Sequence, residues 1–199
     1  MSEKETFHVL TNHCGMSEFV LVAKFLTKCV LNVEAIGRTF KPFWKSWREF
    51  KVRDVGNHIV LFVFDSKIDA QRVLMNVPWS FDKNLVLFSQ LENNSAIRNI
   101  NFTHSLFWIQ LHGLPVKKLN VDIVEIVGSV VFSHFKNDMI GGDFMCVRVR
   151  VDVSKPLCWG CRVVFEDGKE GWVVIRYEKL SNFYYWCGLV NHDDQDCDC

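Results

Sequence analysis

Apolar residues in the first ninety positions follow two spacings, one typical of strands and one typical of helices. Short runs of β-branched and aromatic residues favour strands, whereas Val33, Ile36 and Phe40 recur at helical spacing. Asn32 and Ser66 precede two helical segments as N-caps, and Pro42 is expected to close or kink the first helix. The second helix is predicted to present one apolar face, made of Ile68, Ala70, Val73 and Leu74. The pattern predicts strands over residues 19–25, 48–55, 58–64 and 85–88, and helices over 32–44 and 66–75.

This β-α-β-β-α-β order predicts an α+β domain over residues 18–90 with a ferredoxin-like fold, in which two helices cover one face of an antiparallel sheet. RNA-recognition motifs share that topology, and residues 61–70 resemble the third strand and following helix of one. In that module, aromatic rings on the exposed face of the third strand stack on bases. Ile59 and Leu61 occupy those positions here. We therefore expect the fold of that module without its usual mode of base recognition.

The rest of the chain predicts a second, mainly β lobe. Residues 91–103 are polar and rich in asparagine, which is typical of a linker. Valines in the run 145–153 alternate with Arg148, Arg150 and Asp152, as expected of a strand with one buried face. Further strands are predicted over 108–112, 130–135, 162–165 and 172–177, the last two as a hairpin, with a helix over 121–127. The second lobe is expected to span 104–180. A flexible segment at 1–17 is expected before the first lobe, and a tail at 181–199 after the second.

Composition limits the kinds of partner. A chain of 199 residues with 49% hydrophobic content can form one or two compact domains. Lys plus Arg equal Asp plus Glu at 23 each, so binding to phosphate has to use local patches. The N-terminus has no basic leader followed by an apolar block, and no segment approaches the ~20 apolar residues of a membrane helix. We expect a soluble intracellular protein, nuclear or cytoplasmic, with reduced thiols and no membrane partner.

The tail contains a motif with the spacing of zinc ligands. The spacing C-x4-H-x4-C is formed by Cys187, His192 and Cys197. Structural zinc takes four nitrogen or sulfur ligands. A complete zinc knuckle has its first cysteine three residues before the position of Cys187. Tyr184 stands there instead, and a phenol with a pKa of about 10 is a poor ligand at neutral pH. We expect zinc to be bound weakly or not at all.

Two substitutes for the missing thiolate are present in the sequence. Cys199 lies two residues from Cys197 and would form a cramped chelate, whereas the pair Cys158 and Cys161 has C-x2-C spacing but requires the tail to fold back. Tyr185 and Trp186 are candidates for stacking on unpaired bases, although the four aspartates that follow His192 repel phosphate.

Blocks along most of the chain from residue 18 resemble, in order, the plant family known as domain of unknown function 4283. They comprise Trp47, residues 61–65, 69–74, 77–82, 85–87, 108–115 and 148–157, and the lead-in to the zinc knuckle at Tyr177 and Glu178. This resemblance implies a nucleic-acid-binding, gag-like protein of plant retrotransposons, or a host protein derived from one, with the knuckle after the domain.

Two basic patches are candidates for contact with nucleic acid. Residues 38–53 hold six basic residues and one acid, interleaved with aromatic rings, a composition found in single-strand grooves. The alternative is that the rings fill the core and the charges are solvated. The candidate phosphate contacts are Lys41, Lys45, Arg48, Lys51 and Arg53 in this patch, and Arg148 and Arg150, with Lys155 and Arg162 nearby, in the second.

No catalytic motif stands out from the sequence, so we expect no enzymatic activity and no small-molecule substrate. The favoured function is noncatalytic binding of single-stranded RNA or DNA, with zinc as a weakly held cofactor. The alternative is a protein-interaction or relic domain that has lost nucleic-acid and zinc binding. The sequence does not specify the oligomeric state.

Overall fold

The computed structural model describes residues 19–44, 49–91, 96–114, 134–136, 144–165, 168–180 and 187–190. Within these ranges the chain forms two antiparallel sheets of five strands each and two α-helices. The protein is therefore mixed α+β with a mainly β character. None of the helices in these ranges is long and apolar enough to cross a membrane.

The first sheet is built from the first ninety residues, as predicted. Its elements are β1 (Phe19–Phe25), α1 (Val33–Trp44), β2 (Lys51–Gly56), β3 (Ile59–Phe64), α2 (Lys67–Met75), β4 (Trp79–Phe81) and β5 (Asn84–Gln90). The strand order is β2-β3-β1-β5-β4, with every neighbouring pair antiparallel. All six predicted elements are present. The short strand β4 was not predicted, because three residues are too few to show an alternation.

Both helices begin at the predicted caps. The Ala35 amide donates to Asn32 Oδ1 at 3.0 Å, and the Asp69 amide donates to Ser66 Oγ at 3.4 Å. The helix α1 runs two residues past Pro42 before it ends. The predicted apolar face of α2 is wrong at Ile68, whose side chain is 68% exposed because it lies on the outer side of the helix.

The core of the first sheet lies between the sheet and the helices. The rings of Phe40 and Trp44 stack at a centroid distance of 4.7 Å, and Trp44 meets Phe62 of β3 edge to face at 4.8 Å. Leu21 and Ala23 of β1 are fully buried in the same cluster. Since aromatic side chains bury large areas, these rings dominate the packing of α1 on the sheet.

The second sheet follows the short 3-10 helix Ile97–Asn99, which lies within the predicted linker. Its strands are β6 (His104–His112), β7 (His134–Lys136), β8 (Met145–Asp152), β9 (Gly160–Val164) and β10 (Glu170–Tyr177), in the order β7-β8-β6-β10-β9. The predicted hairpin of the last two strands is confirmed. The predicted helix 121–127 and most of the predicted strand 130–135 fall outside the described ranges.

The two sheets share buried residues. Leu85 and Leu87 of β5 point away from the helices and are 1% exposed, within the same apolar cluster as Phe107 and Ile109 of β6. The face of the first sheet opposite the helices is therefore internal at β5. A second contact joins α2 to β8, where Arg148 Nη2 donates to the carbonyl of Met75.

Candidate nucleic-acid interface

One face of the second sheet is buried and the other carries arginines. On β8 the predicted alternation is confirmed, with Val147 and Val149 at 1% exposure and the arginines on the opposite side. The strand β10 alternates in the same way, because Val173 and Ile175 are fully buried while positions 172, 174 and 176 are exposed. We call the side away from this core the outer face. Its apolar and basic members are Leu106, Trp108, Arg148, Arg150, Arg162, Val164, Trp172, Val174 and Arg176.

Three arginines of the outer face are available to an anionic partner. Arg150 on β8, Arg162 on β9 and Arg176 on β10 are exposed. Arg162 has an ion pair with Glu170 at 3.7 Å, but both side chains are more than half exposed, and such pairs contribute little. Positive charge is thus spread over three strands of one surface.

Arg148 has a different environment. Its guanidinium lies 5.9 Å from the ring centroid of Trp108 and donates to the carbonyl of Met75 in α2. The side chain therefore joins the two sheets, and only part of it faces solvent. A phosphate contact at Arg148 would compete with this internal hydrogen bond.

An acidic side chain stands close to Arg176 on the outer face, where Gln110 is the register partner of that arginine. The Glu178 carboxylate accepts a hydrogen bond from Gln110 Nε2 at 2.9 Å and lies 3.8 Å from the Cys146 sulfur. Burial and this carboxylate raise the pKa of Cys146. At the same end of β6, His112 Nε2 lies 3.0 Å from Gln110 Oε1. Loss of solvent and the charge of Arg176 lower the pKa of this imidazole.

Candidates in the patch at residues 38–53 lie on different sides of the first sheet. Lys41 is on α1 and forms an ion pair with Glu49, which lowers the pKa of that carboxyl. Lys51 and Arg53 are exposed on the edge strand β2 and point to the side opposite the helices, since they pair with Val63 and Leu61. These three basic residues therefore do not line one groove.

The aromatic rings of that patch also differ in their exposure to solvent. Phe40 and Trp44 are 1% and 4% exposed and belong to the core, whereas Phe43 is 65% exposed. Three further members of the patch, Lys45, Trp47 and Arg48, lie outside the described ranges. Only one of the described rings is therefore accessible to a base.

The start of the tail packs against the second sheet. The amide of Leu157 donates to the carbonyl of Gly188 at 2.8 Å, and a Cβ at Gly188 would lie 3.1 Å from Cβ of Pro156. Val190 is 2% exposed in the apolar cluster. The fold-back needed to bring Cys187 towards the segment around Cys158 is thus present.

Cys158 and Cys161 follow this contact along the chain. The Cys158 thiol donates to the carbonyl of Gly160 at 3.4 Å, and burial raises the pKa of Cys161. Across the described ranges, no group of three or more His, Cys, Asp or Glu side chains is arranged to hold a metal.

The predicted zinc ligands are only partly visible. Cys187 is described, whereas His192, Cys197 and the position of Tyr184 lie outside the described ranges, as do Tyr185 and Trp186. By donor chemistry, two thiols and one imidazole fill three positions of a tetrahedral zinc site and leave the fourth open. The three motif residues alone therefore supply one ligand fewer than a structural zinc site takes.

Two residues of the outer face, Trp172 and Arg176, were missed as candidates from the sequence. The signal was present, because residues 172–176 alternate in the same way as the strand that carries Arg148 and Arg150. The alternation is less obvious there, since Val174 is apolar on the exposed side. Pairing with β9 and β6 identifies the side to which each residue belongs.

Comparison with known proteins confirms the predicted resemblance and the order of its parts. Residues 16–99 match the family described as Domain of unknown function (DUF4283), and residues 151–199 match the family described as Zinc knuckle. The hairpin of β9 and β10 lies within the second match. A relative in Arabidopsis thaliana, "Uncharacterized protein At4g02000", is 22% identical over 135 residues, which cover 65% of this chain. The match covers 42% of that protein's length.

Proposed function

Because residues 16–99 match the DUF4283 family and residues 151–199 match a zinc-knuckle family, we propose that the protein binds single-stranded RNA or DNA without catalysing a reaction. Zinc knuckles are among the modules that recognise unpaired nucleotides. The proposal therefore assigns the binding role to the second sheet and the tail.

The outer face of the second sheet is the observation that carries this proposal. Arg150, Arg162 and Arg176 present three exposed cations on one surface of a chain whose net charge is zero. Trp172 is exposed among them. Arginine and exposed aromatic rings together are what sequence-tolerant single-strand binding uses.

The first sheet has a supporting part in this proposal. Its strand order β2-β3-β1-β5, with helices after β1 and β3, supports a ferredoxin-like fold related to the RNA-recognition motif. Ile59 and Leu61 replace stacking rings on β3, and Leu85 and Leu87 on the same face join the core of the second sheet. We therefore assign the base contacts to the second sheet and not to the first.

The same resemblance supports proposals about the origin of the protein and about zinc binding. The DUF4283 segment followed by a knuckle supports descent from a gag-like protein of plant retrotransposons. Zinc, where bound, would be held weakly by Cys187, His192 and Cys197. Phosphate binding by the three arginines does not require it.

Anisotropy of a labelled oligouridine titrated with the full chain tests the proposal. We expect saturable binding at low salt that weakens as salt rises, with zinc and after chelation alike. The absence of binding at low salt under both conditions would overturn the proposal and favour a protein-interaction or relic domain.

A further inference from the structure

Trp172 is a large apolar side chain on the open side of β10. It is 57% exposed, whereas its neighbour Val173 is fully buried. A tryptophan left in water forgoes the burial that stabilises most indole rings in proteins. Of the five tryptophans that the structure describes, it is the exposed one, whereas the other four are buried or half-buried.

The indole ring of Trp172 is held in place by the neighbouring strand. A Cβ placed on Gly160 of β9 would lie 2.9 Å from both Cε2 and Nε1 of the ring, and 2.5 Å from the carbonyl oxygen of Val173. The ring therefore lies against the β9 backbone at a site that only glycine leaves open. A ring fixed in this way loses less conformational entropy when a ligand stacks on it.

The backbone that carries the ring is also fixed. A Cβ on Gly113, which has φ of +86°, would lie 2.6 Å from the carbonyl oxygen of Trp172. On the other side, Trp172 pairs in register with Arg162. Close packing on both sides of β10 thus orients the exposed indole before any partner arrives.

Basic side chains lie on both sides of the ring. Arg162 is its cross-strand neighbour, and Arg176 stands four residues along the same strand and on the same side, about 13 Å away at the usual rise of a strand. Val174 lies between Trp172 and Arg176 on this strand and is 37% exposed. The surface has the sequence cation, ring, apolar spacer, cation.

We infer that Trp172 is a stacking site for an unpaired base of single-stranded RNA or DNA, with Arg162 and Arg176 contacting phosphates on either side of that base. The inference rests on the proposed function and names the side chain that would distinguish single strands from duplexes. Bases within a duplex are stacked on one another and offer no free face to the indole.

Substitution of Trp172 separates stacking from charge. The Trp172→Leu variant keeps an apolar side chain on the strand but removes the ring, and Trp172→Phe keeps a ring. Stacking of one base contributes about 1–3 kcal/mol, so Trp172→Leu should weaken binding of oligouridine by about 5- to 150-fold. Trp172→Phe should retain most of the affinity.

The control is Phe43→Leu, which removes a ring of similar exposure, 65%, from α1. It should bind as the wild type does. Affinity for a duplex of the same length should be lower than for the single strand and should not change with Trp172→Leu. Far-ultraviolet circular dichroism and thermal melting of each variant establish that it is folded.

Each outcome decides between the two proposals. If the wild type binds oligouridine and Trp172→Leu binds equally well, the stacking site is wrong while nucleic-acid binding stands. If Phe43→Leu loses affinity and Trp172→Leu does not, the stacked ring is on α1. If the wild type binds no oligonucleotide, the proposed function itself is wrong.

Discussion

Removal of charge from the outer face should change both the affinity for single strands and its dependence on salt. Each phosphate neutralised on a single strand contributes about −0.7 to the slope of log K against log salt. Three contacts from Arg150, Arg162 and Arg176 give a slope of about −2, so raising salt fourfold should weaken binding roughly 20-fold. A variant with all three arginines changed to glutamine should lose that part of the slope.

Anisotropy titrations of labelled oligouridine at several salt concentrations measure this slope. A control variant carries the same loss of charge at the exposed positions Lys67, Lys83 and Arg98, which lie outside the outer face. The control should keep the slope of the wild type. Equal slopes for the wild type and the arginine variant, at equal affinity, would refute the assignment of the phosphate contacts to this surface.

Three further substitutions test local features. Gly160→Ala should lower the free energy of unfolding in urea by about 1–3 kcal/mol, since its Cβ would lie 2.5 Å from a β10 carbonyl; an unchanged midpoint would contradict this close packing. Tyr184→Cys completes the C-x2-C-x4-H-x4-C motif and should raise the zinc retained per chain after dialysis, measured by elemental analysis, whereas unchanged stoichiometry would contradict the assigned ligand position. The pKa of His112 is lower in the folded state than in the unfolded state, where it is about 6.5. Just below pH 6.5 the unfolded state therefore binds more protons than the folded state, and stability should fall as pH drops through that value. His112→Gln should flatten this loss in urea unfolding, and an equal loss in both proteins would place its cause elsewhere.

Local sequence patterns predicted the first sheet well because its signals are local. Capping by Asn32 and Ser66 and runs of β-branched residues act over a few positions. The same reasoning failed at Ile68, since a helix can leave an apolar side chain exposed when neighbouring positions satisfy the core. It also missed β4, which depends on pairing with β5.

The candidate interface was predicted in part, for a physical reason. Alternation on β8 identified Arg148 and Arg150 as outward, but alternation does not reveal what lies beyond the strand. Only the packing of α2 against β8 explains why Arg148 holds the Met75 carbonyl while Arg150 is exposed. The position of Trp172 against Gly160 likewise depends on the register of two strands.

The accessible rings of the patch at residues 38–53 illustrate the same limit. The sequence left two readings open for the rings at Phe40 and Trp44, contact with bases or packing in the core. Burial in the aromatic cluster decides for the core. Phe43, one residue before Trp44, faces solvent because successive helical positions differ by about 100°.

Photo-crosslinking of a thiouridine-containing oligonucleotide to the full chain, followed by trypsin digestion and mass spectrometry, tests the central claim most directly. Trypsin releases residues 170–176 as one peptide, because Lys169 precedes it and Arg176 ends it. The outer-face assignment predicts a nucleotide adduct on this peptide, at Trp172. Adducts confined to peptides of α1, with none on residues 170–176, would contradict it.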